Sequence, residues 1–390
     1  MRLRRRCSAA FVHATLALVL ALAGIAPCFA RERGPRVDVL CPAPPIPVKL
    51  GQRRVLVYEL HITNFDTVPL TLKQVEVFGD DESKVALATL ADASFSKAMI
   101  HVGGAMAMAD TKTKPSDAGV ILPGTRVVLY IWVELPAGAS VPGRLLHRMA
   151  FFAPNSSTDA TLAAFEVSVG RSAVPVLALP FHGGTWLAGD GPANDSSHRR
   201  SIFAIDGYIR SPERFAIDWV KVGPNGDSRR HATQTPDDYW GWGEPVLAVA
   251  DGEIIQVVDG FADNALGNSP PITLDNIAGN HVVLRIGADR YVTYAHLQNG
   301  SMKVRPHQQV HAGDVLALLG NSGNTNGPHL HLQVTDRDSV LKSEGVPFVF
   351  PSFTYLGPGS EYELDKHITV RWSDSIPPGD GVLEFPAAHE

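Results

Sequence analysis

The chain has 390 residues, 45% of them hydrophobic and 19% charged, which is a globular rather than a disordered composition. Its 34 basic and 40 acidic residues give a net charge of −6, and an acidic surface argues against nucleic acid or an anionic membrane as the main partner. The length allows two or three domains, and the 35 Gly and 29 Pro between short β-rich runs predict a mainly β protein.

The first 30 residues have the pattern of a secretory signal peptide. Four arginines precede an apolar run over about residues 9–26, and residues 28–30 place small side chains at the cleavage-determining positions. We therefore expect cleavage after Ala30, export to the periplasm or the medium, and no membrane span in the mature chain. A retained membrane anchor ranks second because the apolar run is short and breaks at Pro27, and a lipid anchor on Cys28 ranks third.

Cleavage after Ala30 would change both the charge and the cysteine content. It would remove four basic and no acidic residues, leaving 30 basic and 40 acidic residues and a net charge of −10. Of the three cysteines only Cys41 would remain, so the mature chain would have no internal disulfide. We interpret Cys41 as a structural or incidental thiol, and rank intermolecular pairing second.

Short strand-like runs between residues 36 and 172 predict an immunoglobulin-like β-sandwich, which we assign to residues 31–174. The runs cover residues 55–62, 70–77, 126–133, 147–152 and 164–169. The histidines of this region, His61, His101 and His147, are scattered. We interpret them as surface or packed residues.

Histidine is concentrated in the second half of the chain. Nine of the 15 histidines lie between His182 and His331, which indicates a metal or acid–base site. We assign residues 175–356 to this second domain, beginning with a Gly- and Pro-rich linker. Residues 357–390 form a tail, in which one strand-like run over residues 368–372 carries no recognisable chemistry.

Residues 327–334 (Gly-Pro-His-Leu-His-Leu-Gln-Val) predict a strand after a Gly-Pro turn. Because side chains alternate along a strand, His329 and His331 share one face while Leu330 and Leu332 face the core. Two histidines placed in this way can serve one metal centre. The alternative is a pair of surface histidines on an edge strand, but the inward leucines favour the metal site.

A second candidate, His296, closes a predicted β-hairpin. Its strands cover residues 281–286 and 290–297, and residues 287–289 form a three-residue loop. The far end of such a hairpin is a common position for functional residues. With other histidines nearby, His296 is a candidate acid or base.

Asp218 and His198 complete the set of candidates. Asp218 lies in an apolar strand, where a carboxylate requires a paired charge or a metal. Arg210 and Arg214 offer the alternative of a simple ion pair. His198 lies shortly before this strand.

His198, Asp218, His296 and the run of residues 329–331 occur in an order that resembles the lysostaphin-type (LytM-like) zinc endopeptidases. Residues 245–252, 279–284 and 312–323 also resemble strands and loops of that family, so the resemblance covers about residues 180–355. It implies an antiparallel β domain of the duplicated hybrid motif type with an open groove, a bound Zn²⁺, and peptidoglycan as the partner.

Transferred by position, the resemblance makes His198, Asp218 and His331 the zinc ligands and makes His296 and His329 the catalytic histidines. Three protein ligands leave a fourth position for water, as in catalytic zinc sites. One histidine would take the proton of that water, and the other would stabilise the oxyanion or protonate the leaving amine. The sequence does not assign the two roles between His296 and His329.

One spacing departs from the family. In much of it the first histidine lies four positions before the aspartate, but Arg214 occupies that position here. The nearest upstream histidine is His198, which makes Asp206 a rival ligand. We prefer Asp218 because Asp206-Gly207, between two apolar runs, predicts a hairpin turn that would return the chain from His198 toward Asp218.

The sequence therefore predicts a zinc endopeptidase that hydrolyses amide bonds in peptidoglycan stem peptides or cross-links. The alternative is a catalytically silent, peptidoglycan-binding regulator of other wall hydrolases, since some members of the resembled family have lost metal ligands. A third interpretation keeps the zinc chemistry but directs it at Gly-rich secreted proteins. The sandwich would then target the enzyme or cover its groove. Whether an activator or inhibitor protein acts on the enzyme is left open.

Overall fold

The computed structural model of the chain describes residues 34–81, 85–103, 106–107, 119–154, 159–231, 235–267, 271–360 and 368–387. The predicted signal peptide lies outside the described residues. Among the described residues, none of the helices combines the length and apolar character that crossing a bilayer requires. The structure is mainly β, as the sequence predicts, and its strands pair antiparallel in every sheet.

The N-terminal part consists of two facing antiparallel sheets, and it includes all five strands predicted there. Its elements are β1 (Val37–Leu40), β2 (Val48–Leu50), β3 (Arg53–Asn64), β4 (Leu70–Phe78), β5 (Ala88–Ala91), η1 (Asp92–Ser94), α1 (Phe95–Ala98), β6 (Met99–His101), β7 (Met106–Ala107), β8 (Val120–Ile121), β9 (Arg126–Leu135), β10 (Arg144–Phe152) and β11 (Ala160–Ser168). One sheet has the order β1-β3-β9-β6 with β2 on β3, and the other has the order β11-β10-β4-β5 with β8 on β4. The immunoglobulin-like topology remains a prediction.

Strand β3 is buried on both faces. Leu56, Tyr58 and Leu60 point into the core between the two sheets of the sandwich. Val55 and Val57 point the other way, into the core of the C-terminal part. Because both faces are covered, the strand is an almost continuous apolar run rather than an alternating one.

The C-terminal part is built on a ten-stranded antiparallel sheet. Its elements are β12 (Thr185–Gly189), α2 (Ser197–Arg200), β13 (Ile202–Ile205), β14 (Tyr208–Arg210), β15 (Ile217–Val222), η2 (Pro236–Asp238), β16 (Pro245–Leu247), β17 (Gly252–Val258), β18 (Asn280–Gly287), β19 (Arg290–Leu297), β20 (Gln309–Val310), β21 (Val315–Leu318), β22 (Leu330–Thr335), β23 (Phe350–Pro358), β24 (Val370–Ser375) and β25 (Gly381–Glu384). The sheet order is β20-β17-β18-β19-β22-β15-β12-β25-β23-β24, while β16 pairs with β21. The strand-like run predicted over residues 368–372 corresponds to β24; the domain boundaries remain predictions.

Two hairpins test the predicted turns. Strands β13 and β14 are joined by Asp206 and Gly207, both with positive φ (52° and 83°), so the predicted two-residue turn is confirmed. The hairpin of β18 and β19 differs from the prediction. Gly287 pairs with Arg290, which leaves a two-residue loop instead of three because the glycine extends the ladder.

The isolated polar groups of the sandwich are packed residues. His147 is fully buried, with Nδ1 2.9 Å from the Phe165 carbonyl and Nε2 2.6 Å from the Tyr58 hydroxyl. Burial lowers the pKa of His147 to about 4. Cys41 donates its S–H to the Ala43 carbonyl, and burial raises its pKa to about 12, as expected of a structural thiol.

We predict that His147 makes the stability of the chain depend on pH. The unfolded chain binds a proton at this histidine below about pH 6.5, while the folded chain does so only below about pH 4. Stability therefore falls as the pH drops between these values, by up to about 3 kcal/mol from this group. Urea unfolding at pH 7 and pH 4.5 should show a smaller pH effect in His147→Gln than in the wild type. An unchanged pH effect would contradict the assignment.

Candidate metal centre

Three neighbouring strands of the large sheet, β19, β22 and β15, bring three of the predicted site residues together. His331 on β22 lies directly opposite Asp218 on β15. On its other side it lies opposite Ala295 of β19, the neighbour of His296. The central position of β22 therefore fixes these side chains relative to one another.

Asp218 faces a groove because its strand neighbours face the core. Ile217 and Trp219 are fully buried in the core of the large sheet. Since side chains alternate along a strand, the Asp218 carboxylate emerges on the opposite face. There its Oδ1 atom lies 3.0 Å from Nδ1 of His331.

His198 reaches the same carboxylate from the one-turn helix α2. Ser196 caps this helix, its hydroxyl accepting the Arg199 N–H at 3.1 Å. The hairpin of β13 and β14 then carries the chain out and back to β15. As a result His198 Nε2 lies 3.4 Å from Asp218 Oδ2, as the predicted turn requires.

His198, Asp218 and His331 form a group suited to a metal ion. Their ligand atoms all lie within 4.8 Å of one another. Ligand atoms about 2 Å from a tetrahedral zinc would be about 3.3 Å apart. The observed separations of 3.4 and 3.0 Å match this spacing, and two imidazole nitrogens with one carboxylate oxygen are typical zinc donors.

Hydrogen bonds to carbonyl oxygens set the orientation of both ligand imidazoles. His198 Nδ1 lies 2.9 Å from the Asp190 carbonyl. His331 Nε2 lies 2.9 Å from Oε1 of Gln333, whose Nε2 donates to the Val340 carbonyl. A carbonyl oxygen only accepts, so these two ring nitrogens carry protons, and the other two, His198 Nε2 and His331 Nδ1, are the nitrogens that face the Asp218 carboxylate.

The remaining two histidines are held in the same manner. His329 Nδ1 lies 2.8 Å from the Gly327 carbonyl, and its Nε2 lies 3.4 Å from Asp218 Oδ2. His296 Nδ1 lies 2.8 Å from the Ser322 carbonyl. The rings of His296 and His329 are 4.7 Å apart between centroids.

His296 occupies a strained backbone position. Its φ is +63°, a region that residues other than glycine seldom adopt. The register between β18 and β19 shifts at this point, since Leu297 pairs with Asn280 and Tyr294 with Val282. The resulting bulge turns His296 out of the regular alternation and toward the other histidines.

The charges of the cluster are strongly coupled. Burial opposes the ionised form of Asp218, but His198 and His329 hold the pKa of this carboxyl well below its usual range. Burial likewise opposes the cation of His198, yet Asp218 raises the pKa of His198 to about 10. Burial and the neighbouring imidazoles of His329 and His331 lower the pKa of His296 well below its ordinary value. The cluster is thus built around one carboxylate that attracts positive charge.

The cluster forms one wall of an open groove of about 790 Å³. Ile202 and Phe203 of the inserted hairpin, together with Tyr239 and Leu341, supply apolar walls. The groove is therefore large enough for a segment of an extended chain passing over the histidines.

The rival candidates lie elsewhere. Asp206 is exposed in its turn, 2.6 Å from Lys342 Nζ. Arg214 turns away from Asp218 and contacts Glu59 and Glu344. The structure thus brings together all five predicted site residues and leaves Asp206 out, while their chemical roles remain predictions.

Sequence reasoning missed the groups that orient the imidazoles. Gln333 is fully buried and follows His331 by two positions, so strand alternation places it on the same face and could have identified it. The carbonyls of Asp190, Ser322 and Gly327 could not be found in this way, because any residue supplies a carbonyl.

Comparison with known proteins agrees with this geometry. The sequence model of peptidase family M23 matches residues 240–343, which contain His296, His329 and His331. Lipoprotein NlpD of Yersinia enterocolitica is 30% identical over 92 residues, which are 24% of this chain and 77% of that protein. The chain belongs to peptidase family M23. Members of this family are metallopeptidases that typically bind zinc.

Other M23 relatives carry two different functional names. Peptidoglycan DD-endopeptidase ShyA of Vibrio cholerae is 29% identical over 142 residues, covering 34% of this chain and 29% of ShyA. Murein hydrolase activator NlpD of Escherichia coli is 32% identical over 92 residues, covering 24% of this chain and 20% of that protein. This chain spans only 12–16% of the length of three further relatives.

The choice between the two aspartates can be tested directly. We expect Asp218→Ala to lose zinc and Asp206→Ala to retain it, because only Asp218 lies among the imidazoles. The measurement is zinc content per chain after dialysis against a weak chelator. Loss of zinc from Asp206→Ala alone would show that the assignment is wrong.

Gln333 should matter for metal affinity although it is not a ligand. We expect Gln333→Leu to weaken zinc binding about 10- to 100-fold, since the His331 ring loses the acceptor that orients it. Competition with a chromophoric chelator measures this change. Gln309→Leu, at an exposed position of the same sheet, is the matched control. Equal affinities for both variants would refute the role of Gln333.

Proposed function

We propose that this M23 protein is a zinc-dependent endopeptidase that hydrolyses amide bonds in peptidoglycan stem peptides or cross-links. The observation that carries the proposal is the convergence of imidazole nitrogens and the Asp218 carboxylate on one wall of an open groove. In this proposal His198, Asp218 and His331 hold Zn²⁺.

Bound zinc would supply Lewis-acid chemistry, polarising the scissile carbonyl and acidifying a water molecule. His296 and His329 provide proton transfer beside it. Each has Nδ1 bonded to a backbone carbonyl, so its Nε2 is free to accept a proton or, once protonated, to donate one. One ring takes a proton from the attacking water, and the other stabilises the oxyanion or protonates the leaving amine.

The substrate class is inferred from several features together. ShyA is named a peptidoglycan DD-endopeptidase, and the NlpD relative is named a murein hydrolase activator. The open groove has room for a segment of a peptide. A predicted signal peptide over residues 1–30 would deliver the protein to the periplasm or the medium, where the cell wall lies.

The second candidate is a peptidoglycan-binding regulator without catalysis. Two observations favour it: the name of the NlpD relatives, and the position of two candidate ligands, His198 and Asp218, outside the residues matched by the family model. The full set of five candidate residues in one place favours the enzyme.

Muropeptide analysis separates the two functions. Purified sacculi are incubated with the zinc-loaded chain, with His331→Ala, and with His311→Ala, an exposed histidine that serves as the matched control. We expect loss of cross-linked or stem-peptide species with the wild type and His311→Ala but not with His331→Ala. The products would identify the bond.

Binding of the wild-type chain to sacculi without any new product would contradict the enzyme and support the regulator. Cleavage by His331→Ala at the wild-type rate would contradict the proposed metal centre.

A further inference from the structure

A carboxylate from the sandwich is buried between two arginines of the C-terminal part. Glu59 on β3 is only 1% exposed. It forms ion pairs with Arg199 Nη1 and with Arg214, whose Nη2 and Nε lie 2.6 and 2.9 Å from Oε2. Both arginines are buried as well, at 0% and 4% exposure. A buried carboxylate that is paired with two guanidinium groups holds both in place, because neither can leave without exposing an unpaired charge.

Each of these arginines belongs to a segment that carries a candidate metal ligand. Arg199 directly follows His198 in helix α2. Arg214 lies four residues before Asp218, where the chain enters β15. Glu59 therefore contacts both segments, the one that carries His198 and the one that leads to Asp218. The spacing between these two residues is the one that departs from the family pattern.

Helix α2 depends on the sandwich for its position. A single helical turn is not stable alone. Arg199 donates to the Tyr58 carbonyl at 2.9 Å, and its guanidinium lies 5.0 Å from the Tyr130 ring centroid. The Tyr130 hydroxyl in turn donates to the Arg200 carbonyl at 3.3 Å. Tyr130 is the cross-strand partner of Glu59, so one patch of β3 and β9 supports the whole turn.

The other side of the network is anchored in the segment between β22 and β23. Arg214 also contacts Glu344 at 2.7 Å and donates to the Gly345 carbonyl at 2.8 Å. The Arg214 guanidinium is thereby held by Glu59 on one side and by Glu344 and Gly345 on the other. Any movement of Glu59 is transmitted to α2 more readily than to β15, because β15 has strand partners on both sides.

From these contacts we infer that Glu59 is a positioning residue of the metal centre, and that the sandwich thus completes the site in the C-terminal part. Through Arg199 it sets where His198 stands relative to Asp218. The inference rests on the proposed function, in which His198 and Asp218 are zinc ligands.

The test compares full-length variants in the apo and metal-loaded forms. Glu59→Gln removes the charge but keeps the shape. We expect its zinc affinity to fall at least about 10-fold by chelator competition, as for other groups that orient ligands. We also expect the visible absorption of bound Co²⁺ to change, because the ligand geometry changes.

Two controls separate positioning from general destabilisation. Glu134→Gln removes an exposed carboxylate from the neighbouring strand. Met149→Ala opens a cavity in the sandwich core, on the sheet opposite the one that contains β3 and β9. Both should keep the wild-type zinc affinity and Co²⁺ spectrum at a temperature where the chain is folded. If Met149→Ala weakens zinc binding as much as Glu59→Gln, the inference is overturned.

A milder variant covers the case in which Glu59→Gln does not fold. Arg199→Lys keeps the charge but replaces the planar fork by a single ammonium group. We expect a several-fold loss of zinc affinity and an altered Co²⁺ spectrum. An unchanged affinity and spectrum would overturn the inference while leaving the proposed enzyme intact. A wild-type chain that binds no zinc would overturn both.

Discussion

The candidate centre depends on the burial of one carboxylate, that of Asp218. Its neighbours Ile217 and Trp219 are fixed in the core, so the carboxylate is held on the groove face, partly buried among the imidazoles. An ionised carboxylate removed from water is costly unless positive charge surrounds it. Without metal, protonated His198 supplies that charge, as its pKa of about 10 indicates. A divalent cation would replace the proton and neutralise the same carboxylate. The same arrangement of side chains therefore suits the metal-free and the metal-bound form.

The sheet makes the positions of the other groups rigid. Strand β22 lies between β19 and β15, and its ladders fix His331 against both neighbours. The bulge at His296 is the exception, where strain places an imidazole that regular alternation would turn away. His198 alone comes from a single helical turn, so its position needs support from outside the sheet. The sandwich supplies that support.

The parts of the site that follow a local pattern could be predicted from the sequence. Alternation identified the pair His329 and His331, and an acid in an apolar strand identified Asp218. The Asp206-Gly207 turn followed from backbone preferences alone. The buried contact between Glu59 and Arg214 could not be predicted, because it joins residues 155 positions apart and neither neighbourhood encodes it. The backbone carbonyls that accept hydrogen bonds from the imidazoles could not be predicted for a different reason: their positions depend on backbone direction and not on residue type.

These contacts together explain why the spacing between the first histidine and the aspartate departs from the family pattern. Arg214 stands where the resembled family has its first histidine, and its side chain points to Glu59 and Glu344 rather than to Asp218. A histidine at that position could not pair with Glu59 in the same bidentate manner, and Glu59 would be left with a buried unmatched charge. In the proposed metal centre His198 on α2 would fill that ligand position, and α2 is in turn held by Glu59 through Arg199. In this interpretation Arg214 and His198 depend on each other, and both depend on Glu59 of the sandwich.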